Sequence, residues 1–304
     1  MILNSSFHLP VLLPEVIKAL NIIKGNIYID ATLGGGGHSE EIIKNGGNVL
    51  AIDKDQGAIN FVKSAWRNNT RLRTVEGNFK DITNIAQKNG LQNVDGILFD
   101  LGLSSFQIDG SGRGFSYLRD ERLDMRMSME DKVDAEDIIN KYSIEQLYEI
   151  FSKYSEEINS RAIASAIISA RRIKINIKRT KDIVGIVESV LNKIYLRLPN
   201  RDYNQIRNST LSRIFQAIRI EVNSELSNLE IGIKQAINLL KSNGRLVVIS
   251  YHSLEDRIIK LTFEHYQSRG VISTLSKKPI RPKYDEIISN PRSRSAKLRF
   301  IRKI

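Results

Sequence analysis

The chain has 304 residues, is 41% hydrophobic and carries a formal net charge of +12. That length suits two domains, or one domain with an insertion, and the charge points to a polyanionic partner. There is no cysteine, which excludes disulfides, cysteine-ligated zinc, iron–sulfur clusters and any thiol nucleophile.

Leu9 to Leu20 reads as a short helix behind a proline-bounded lead-in. Pro10 and Pro14 interrupt the only candidate for a secretion signal, and no window approaches the ~18 apolar residues of a membrane span. A soluble cytoplasmic protein without membrane contact is therefore expected. Ile27 to Asp30 predicts a first strand. Gly34 to Gly37 then form a tight turn, and Glu40 to Lys44 continues as helix. Glycine lets the backbone turn with positive φ and lets a ligand approach closely. Open α/β sheets bind ligands at this place. The turn otherwise merely joins strand to helix. Asp30 at the strand end favours a sulfonium or ammonium ligand over a pyrophosphate, which it would repel. A P-loop is excluded, because no Gly-Lys-Ser/Thr follows.

Val49 to Asp53 predicts a second strand. Its closing acid, Asp53, can accept both ribose hydroxyls of a nucleoside. Asp55 is the alternative, or else caps the following helix. Arg71 to Glu76 predicts a third strand, followed by Phe79, which suits stacking on an adenine or belongs to the core. Val94 to Asp100 predicts a fourth. Asp30, Asp53 and Asp100 thus place three carboxylates on one rim of a parallel sheet.

From Asp109 the pattern changes. Gly110, Gly112 and Gly114 form a loop that is either a lid or a surface excursion. Ala135 to about Asn208 is helical in pattern. We expect an inserted helical, RNA-binding domain at 129–208, and a catalytic core made of 1–128 and 209–304. The charge is blocked: 120–160 holds 12 acids against 5 bases, 161–220 holds 13 bases against 3 acids, and 277–304 holds 10 bases against 2 acids. Thr210 to Leu240 predicts one long helix ended by Gly244. Arg245 to Tyr251 predicts a fifth strand running into His252-Ser253-Leu254-Glu255. Gly270 to Leu275 and Ala296 to Ile301 predict a last hairpin around a basic loop.

Seven motifs occur in order: Gly-Gly-Gly-Gly-His-Ser, Asp-Leu-Gly-x-Ser-Ser-x-Gln, Arg-Gly-Phe-Ser-Tyr, Leu-Asp-Met-Arg-Met, Phe-Gln-Ala-x-Arg-Ile-x-Val-Asn-x-Glu-Leu, Ser-Tyr-His-Ser-Leu-Glu-Asp-Arg and Asn-Pro-Arg-x-Arg-Ser. Together they resemble the MraW-type methyltransferases of bacterial small-subunit ribosomal RNA. The resemblance implies an α/β fold: a class I, Rossmann-like S-adenosylmethionine-dependent methyltransferase sheet with an inserted all-helical domain. It implies methyl transfer from S-adenosyl-L-methionine to the exocyclic N4 amine of one decoding-site cytidine in 16S ribosomal RNA. It implies cofactor contacts at Gly36, Gly37, His38, Asp53, Phe79, Asp100 and Gln107. Two departures stand out: Gly35 where arginine is common, and Phe106 where proline is usual.

A cytosine N4 amine is a poor nucleophile, because its lone pair is delocalised into the ring. An acceptor for its hydrogens localises that pair and takes the leaving proton. The candidates are Asp100, a backbone carbonyl of the Leu101 to Ser105 loop, and His252 with Glu255; we favour Asp100 for cofactor and amine positioning and His252 as a polar partner of the substrate. His252 read plainly is instead a helix-opening residue bonded to backbone. Phe106, Phe115 and Tyr117 are the nearby aromatics for stacking the target base. The missing thiol closes the route to methylation at cytosine C5. The expected partner is 16S ribosomal RNA or the small ribosomal subunit, with no metal, and with the protein a monomer or homodimer. A nicotinamide-dependent dehydrogenase and a nucleic-acid-binding module with an inactive cofactor site share the glycine turn. Asp30 disfavours the first and the intact rim acids disfavour the second.

Overall fold

The computed structural model describes residues 9–67, 69–103, 110–173, 177–195 and 199–304, the side chains of 200 and 201 excepted. It divides into two compact units, Met1–Phe106 with Leu226–Ile304, and Gln107–Glu225. The second is wider than the expected 129–208. The stretch before residue 129 is tied into it by backbone bonds: Leu123 N–H donates to Lys178 O and Thr180 N–H donates to Glu121 O.

The first unit is built on a seven-stranded sheet of order β3-β2-β1-β4-β5-β7-β6. Its strands are β1 (Ile27–Asp30), β2 (Asn48–Asp53), β3 (Leu72–Glu76), β4 (Val94–Asp100), β5 (Leu240–Ser250), β6 (Ile272–Thr274) and β7 (Lys297–Lys303). The first five run parallel; β7 is antiparallel to β5 and β6. A parallel sheet is covered on both faces, so its inner strands are apolar on both sides. Ile29, Leu50, Ile52, Ile97, Phe99, Leu246 and Val248 enter one core cluster. Their neighbours Tyr28, Val49, Ala51, Leu98, Val247 and Ile249 enter the other, as the two-residue period of a strand requires. Helices α1 (Leu13–Leu20), α2 (Gly37–Lys44) and α3 (Gln56–Ala65) cover the second face, for Leu20, Ile42 and Ile59 belong to its cluster. Helix α4 (Ile82–Lys88) covers the first with Ile82 and Ala86.

The second unit is helical: α5 (Ala135–Lys141), α6 (Ile144–Ser155), α7 (Ser160–Arg172), α8 (Thr180–Tyr195) and α9 (Asn200–Asn223). Asp134 caps α5, and Ser143 with Gln146 forms a capping box on α6. Those side chains satisfy first-turn N–H groups that have no partner inside the helix. The apolar stripes of these helices, Leu147, Phe151, Ile163, Ile167, Ile183, Val187, Ile214 and Ile218 among them, are buried.

One expectation fails. Thr210 to Leu240 is not a single helix. Ser224 takes φ 50° and ends α9, and a separate helix, α10 (Glu225–Leu239), leads straight into β5. Gly244 ends no helix. It lies in the irregular start of β5, where pairing with β4 skips from Val94–Leu240 to Gly96–Arg245. α10 and α11 (Ser253–Ser268) cover the first face of the sheet with Leu229, Ile233, Ile259 and Phe263. A short helix, α12 (Tyr284–Ser289), lies between β6 and β7.

Candidate active site

Strand order reverses between β1 and β4, and ligands of open α/β sheets bind at that switch point, outside the carboxyl ends of the strands. The glycine loop lies there. Leu33 N–H donates to Ile52 O (2.9 Å) and Gly36 N–H to Leu33 O (2.8 Å), which folds the chain back over the β2 end. Gly36 takes φ 83° as the residue before α2, a left-handed conformation costly to any residue with a Cβ.

The three strand-ending acids do not play one part. Asp30 does not face outward: it is 1% exposed. One of its oxygens accepts from Ser39 Oγ (2.7 Å) and the other from Thr32 N–H (3.2 Å). Burial raises its pKa, with His38 opposing. It is a brace beneath the loop, tying β1 to α2.

Asp53 holds the loop from the other side. Its Oδ2 accepts from Gly34 N–H (2.7 Å) and its Oδ1 from Asp55 N–H (2.8 Å). Each carboxylate oxygen has room for a second donor. Burial pushes its pKa up to about 6, against those two bonds. Asp55 is the cap of α3, accepting from Gly57 N–H (2.9 Å), the second of the two uses that the sequence left open for it.

Asp100, half-buried at the end of β4, is fixed by its neighbours. Its N–H donates to Thr32 Oγ1 (2.6 Å), and its Oδ1 accepts from Tyr251 Oη (2.7 Å). Burial first, and Asp100 second, raise the Tyr251 pKa well above the usual phenol value, so Tyr251 remains a donor. Sequence reading missed Thr32, Ser39 and Tyr251. Tyr251 stands beside His252 in a motif already singled out, but tyrosine next to histidine carries no signal of its own.

His38, in the first turn of α2, is 6% exposed. Its Nε2 lies 3.0 Å from Val11 O, which can only accept, so Nε2 carries the hydrogen. Burial outweighs the pull of Asp30 and keeps the ring neutral. Nδ1 is then a lone pair, and it faces Asp100 Oδ2 at 3.6 Å. Two acceptors pointed at one another suit a donor shared between them.

Gly37 packs on Pro10, where a Cβ would meet the ring at 3.1 Å. Phe79 opens the one-turn helix after β3 and is half-buried. Its ring stands edge-on to Phe99, centroids 5.4 Å apart. A Cβ at Gly232 would sit 2.9 Å from it. The core therefore fixes the ring in place.

His252 caps α11: Nδ1 accepts from Glu255 N–H (3.4 Å), while Glu255 Oε2 accepts from Tyr251 N–H and His252 N–H (2.8 and 3.2 Å). Nε2 lies 3.1 Å from Glu255 Oε1 without the alignment of a hydrogen bond. The plain reading of His252 is thus observed. Gln107 and Phe106 lie outside the described residues. Phe115 is 7% exposed, with Arg113 over its ring, and Tyr117 packs edge-on to Phe215. Both rings are already in use.

The helical unit absorbs much of its own positive charge. Arg179 and Lys181 pair with Asp120, Arg207 with Glu188, Arg213 with Glu157, and Arg219 with Glu225. Arg171, in the basic block of the domain expected to bind RNA, is half-buried. It donates from Nη1 to Tyr142 O (2.6 Å) and from Nη2 to Ile139 O, closing the end of α5. Arg172 is exposed; Lys174 lies outside the described residues. Among the described residues, no helix is long and apolar enough to cross a membrane.

Residues 5–304 match the MraW methylase family. The chain is 43% identical over 300 residues to a protein of Sulfurihydrogenibium sp. (strain YO3AOP1) named ribosomal RNA small subunit methyltransferase H, covering 98% of this chain and 99% of that one. It is 40% identical over 315 residues to a protein of the same name from Clostridium botulinum (strain Loch Maree / Type A3), with 98% and 99% covered.

Proposed function

We infer the activity from one premise, that this chain belongs to the MraW methylase family. It transfers a methyl group from S-adenosylmethionine to the exocyclic N4 amine of a decoding-site cytidine in 16S ribosomal RNA. The observation that carries this reading is the polarity of the rim. Asp53, Asp100 and the neutral Nδ1 of His38 all present acceptors. Such a rim fits ribose hydroxyls, an ammonium group and an amine, and it repels phosphate.

When bound, S-adenosylmethionine supplies a methyl group already activated on a sulfonium, so the reaction needs no metal to activate it. The protein contributes proximity and orientation, worth roughly 7–11 kcal/mol in favourable cases. Asp53, which keeps acceptor capacity beyond its bonds to Gly34 and Asp55, would accept from the ribose hydroxyls. Gly36 and Gly37 keep the loop free of side chains, and Phe79 borders the adenine. His38 Nδ1 and Asp100 would share a donor between them, and the family resemblance implies a further cofactor contact at Gln107. Asp100 also accepts a hydrogen of the target amine, localises its lone pair and takes its proton. Tyr251 holds Asp100 in that orientation. His252 is retained as a polar partner of the substrate; its Nε2 is buried 3.1 Å from Glu255 Oε1 and would have to be uncovered to serve.

In this reading the substrate is the small-subunit RNA and the site of action the cytoplasm. The helical unit contributes its exposed cations, Arg172, Lys178 and Lys193, to the phosphates. The protein works as a monomer or a homodimer, which sedimentation distinguishes. Mass spectrometry of small-subunit RNA from cells with and without the gene tests the activity: one methyl group at a single cytidine should disappear. An unchanged RNA would overturn the assignment.

A further inference from the structure

We propose that the segment 277–288 is a docking platform for single-stranded RNA, on which Tyr284 stacks a base while neighbouring cations hold the phosphates. The proposal rests on the reading of this protein as an RNA methyltransferase and names a surface that the active site does not include. Tyr284 is 75% exposed and Ile288, one turn later on α12, is 63% exposed. Residues four apart share a face of a helix, so an aromatic and an aliphatic side chain stand together in solvent. Around them Lys277, Lys278, Arg281 and Lys283 are exposed, and none of the four joins an ion pair among the described residues. Asp285 is exposed on the same helix, but the second acid, Glu286, is turned inward: its Oε1 accepts from Leu12 N–H at 2.7 Å.

Exposed lysines alone are usually only solvated. Here the combination differs. Large aromatic side chains are seldom left three-quarters bare, and an aromatic face amid unpaired cations is the arrangement that binds single strands without reading their sequence. Pro279 and Pro282 restrict the backbone on the approach to Tyr284, which lowers the entropy lost on binding. The platform is also anchored. Asn290 Nδ2 donates to Leu9 O (2.9 Å) and Glu286 holds Leu12. The strap between them carries Pro10, against Gly37, and Val11, bonded to His38. The platform is thus tied through residues 9–12 to the glycine loop. An unstacked base is what an amine-methylating site requires.

Fluorescence anisotropy of the full-length protein with a labelled 12-nucleotide oligocytidylate tests this, alongside cofactor calorimetry and methyl transfer to small subunits. Tyr284→Ala should weaken oligonucleotide binding by about five- to 150-fold and raise KM for the subunit, with cofactor affinity and melting temperature unchanged. Tyr284→Trp should bind at least as well as the wild type. Replacing Lys277, Lys278, Arg281 and Lys283 by alanine should flatten the slope of log affinity against log salt, by roughly 0.7 for each phosphate no longer neutralised. Unchanged binding and KM in Tyr284→Ala, in a wild type that methylates subunits, would overturn the platform and leave the activity standing. A wild type that binds cofactor but transfers no methyl group would instead remove the reading beneath it. Equal capture by phosphatidylglycerol vesicles, lost in the same variant, would make the surface a membrane contact and overturn the proposal as well.

Discussion

Glu157 and Asp124, buried acids of the helical unit, each sit against an arginine: Arg213 in the first case, Arg126 at 2.7 Å in the second. Burial pushes the Asp124 pKa up, but the bonds and charge of Arg126 bring it below the usual carboxylate value. Asp30, buried, and Asp53, half-buried, in the sheet unit pair with no lysine or arginine among the described residues, and desolvation leaves both with raised pKa values. The first pattern is what stability alone produces, since an unpaired buried charge is costly. The second is held by hydrogen bonds alone, from Ser39 and Thr32 to Asp30 and from Gly34 and Asp55 to Asp53; at Asp53, which is not fully buried, it fits a place where a ligand brings further donors. Unpaired acids, rather than the density of charge along the chain, are what single out the candidate site.

The largest effect should come from Asp100→Asn. Asparagine still accepts from Tyr251 Oη but takes no proton. Turnover should fall on the order of 10²–10⁴-fold, with cofactor affinity much less affected. A single-turnover assay with S-adenosylmethionine and small subunits reads this, and near-wild-type turnover would make Asp100 another brace, like Asp30.

Arg213→Ala attacks the opposite unit and should spare chemistry while costing stability. The Glu157 side chain is 0% exposed and would be left as a buried charge. Breaking such pairs costs about 3–5 kcal/mol. Because Arg213 is 40% exposed, water can reach part of the pair, and about 3 kcal/mol is expected from urea unfolding. A change below ~1 kcal/mol would show that the pair is solvated, and the contrast between the units would weaken.

Much of this was legible in the sequence. β-branched runs ending in acids marked the first, second and fourth strands, and the same acids, Asp53 and Asp100, stand at the strand ends where the sequence put them. The rest depended on contacts between distant residues. Nothing local marks Asp30 as a brace, since its partners, Thr32 in the loop and Ser39 in the first turn of α2, meet it only once α2 folds back. Ser224 takes a left-handed conformation that no residue type announced, so α9 and α10 read as one helix. Arg171 and Arg172 are adjacent and identical in type. Only the rotation of α7 separates a helix-closing guanidinium from a solvated one.

Asp53 should also make cofactor binding depend on pH. Its pKa in the cofactor-free protein is about 6, above the ordinary 3.8. It is charged above that point and neutral below it. Ribose hydroxyls donate to the charged form and so favour it. Affinity should therefore be full above pH ~7 and fall by up to about tenfold per unit below 6, with proton release on binding near that pH. Calorimetry across pH 5–8 reads both. Asp53→Asn should bind weakly and without this slope; a wild-type slope in that variant would move the titration to another group.

The smallest effects separate Arg171 from its neighbour. Both guanidinium Nη atoms of Arg171 donate to carbonyls near the end of α5, where carbonyls lack partners inside the helix. Arg171→Ala should cost about 1–2 kcal/mol. Any loss of RNA affinity should follow the loss of folded protein. Arg172 is exposed, and Arg172→Ala should change stability by no more than ~0.5 kcal/mol. If its charge reaches a phosphate, the slope of log affinity against log salt should flatten by about 0.7–0.9. Melting curves and salt titrations of the two variants give four numbers. A destabilised Arg172→Ala, or an Arg171→Ala that folds normally yet loses the salt slope, would reverse the assignment and return Arg171 to the RNA-facing surface.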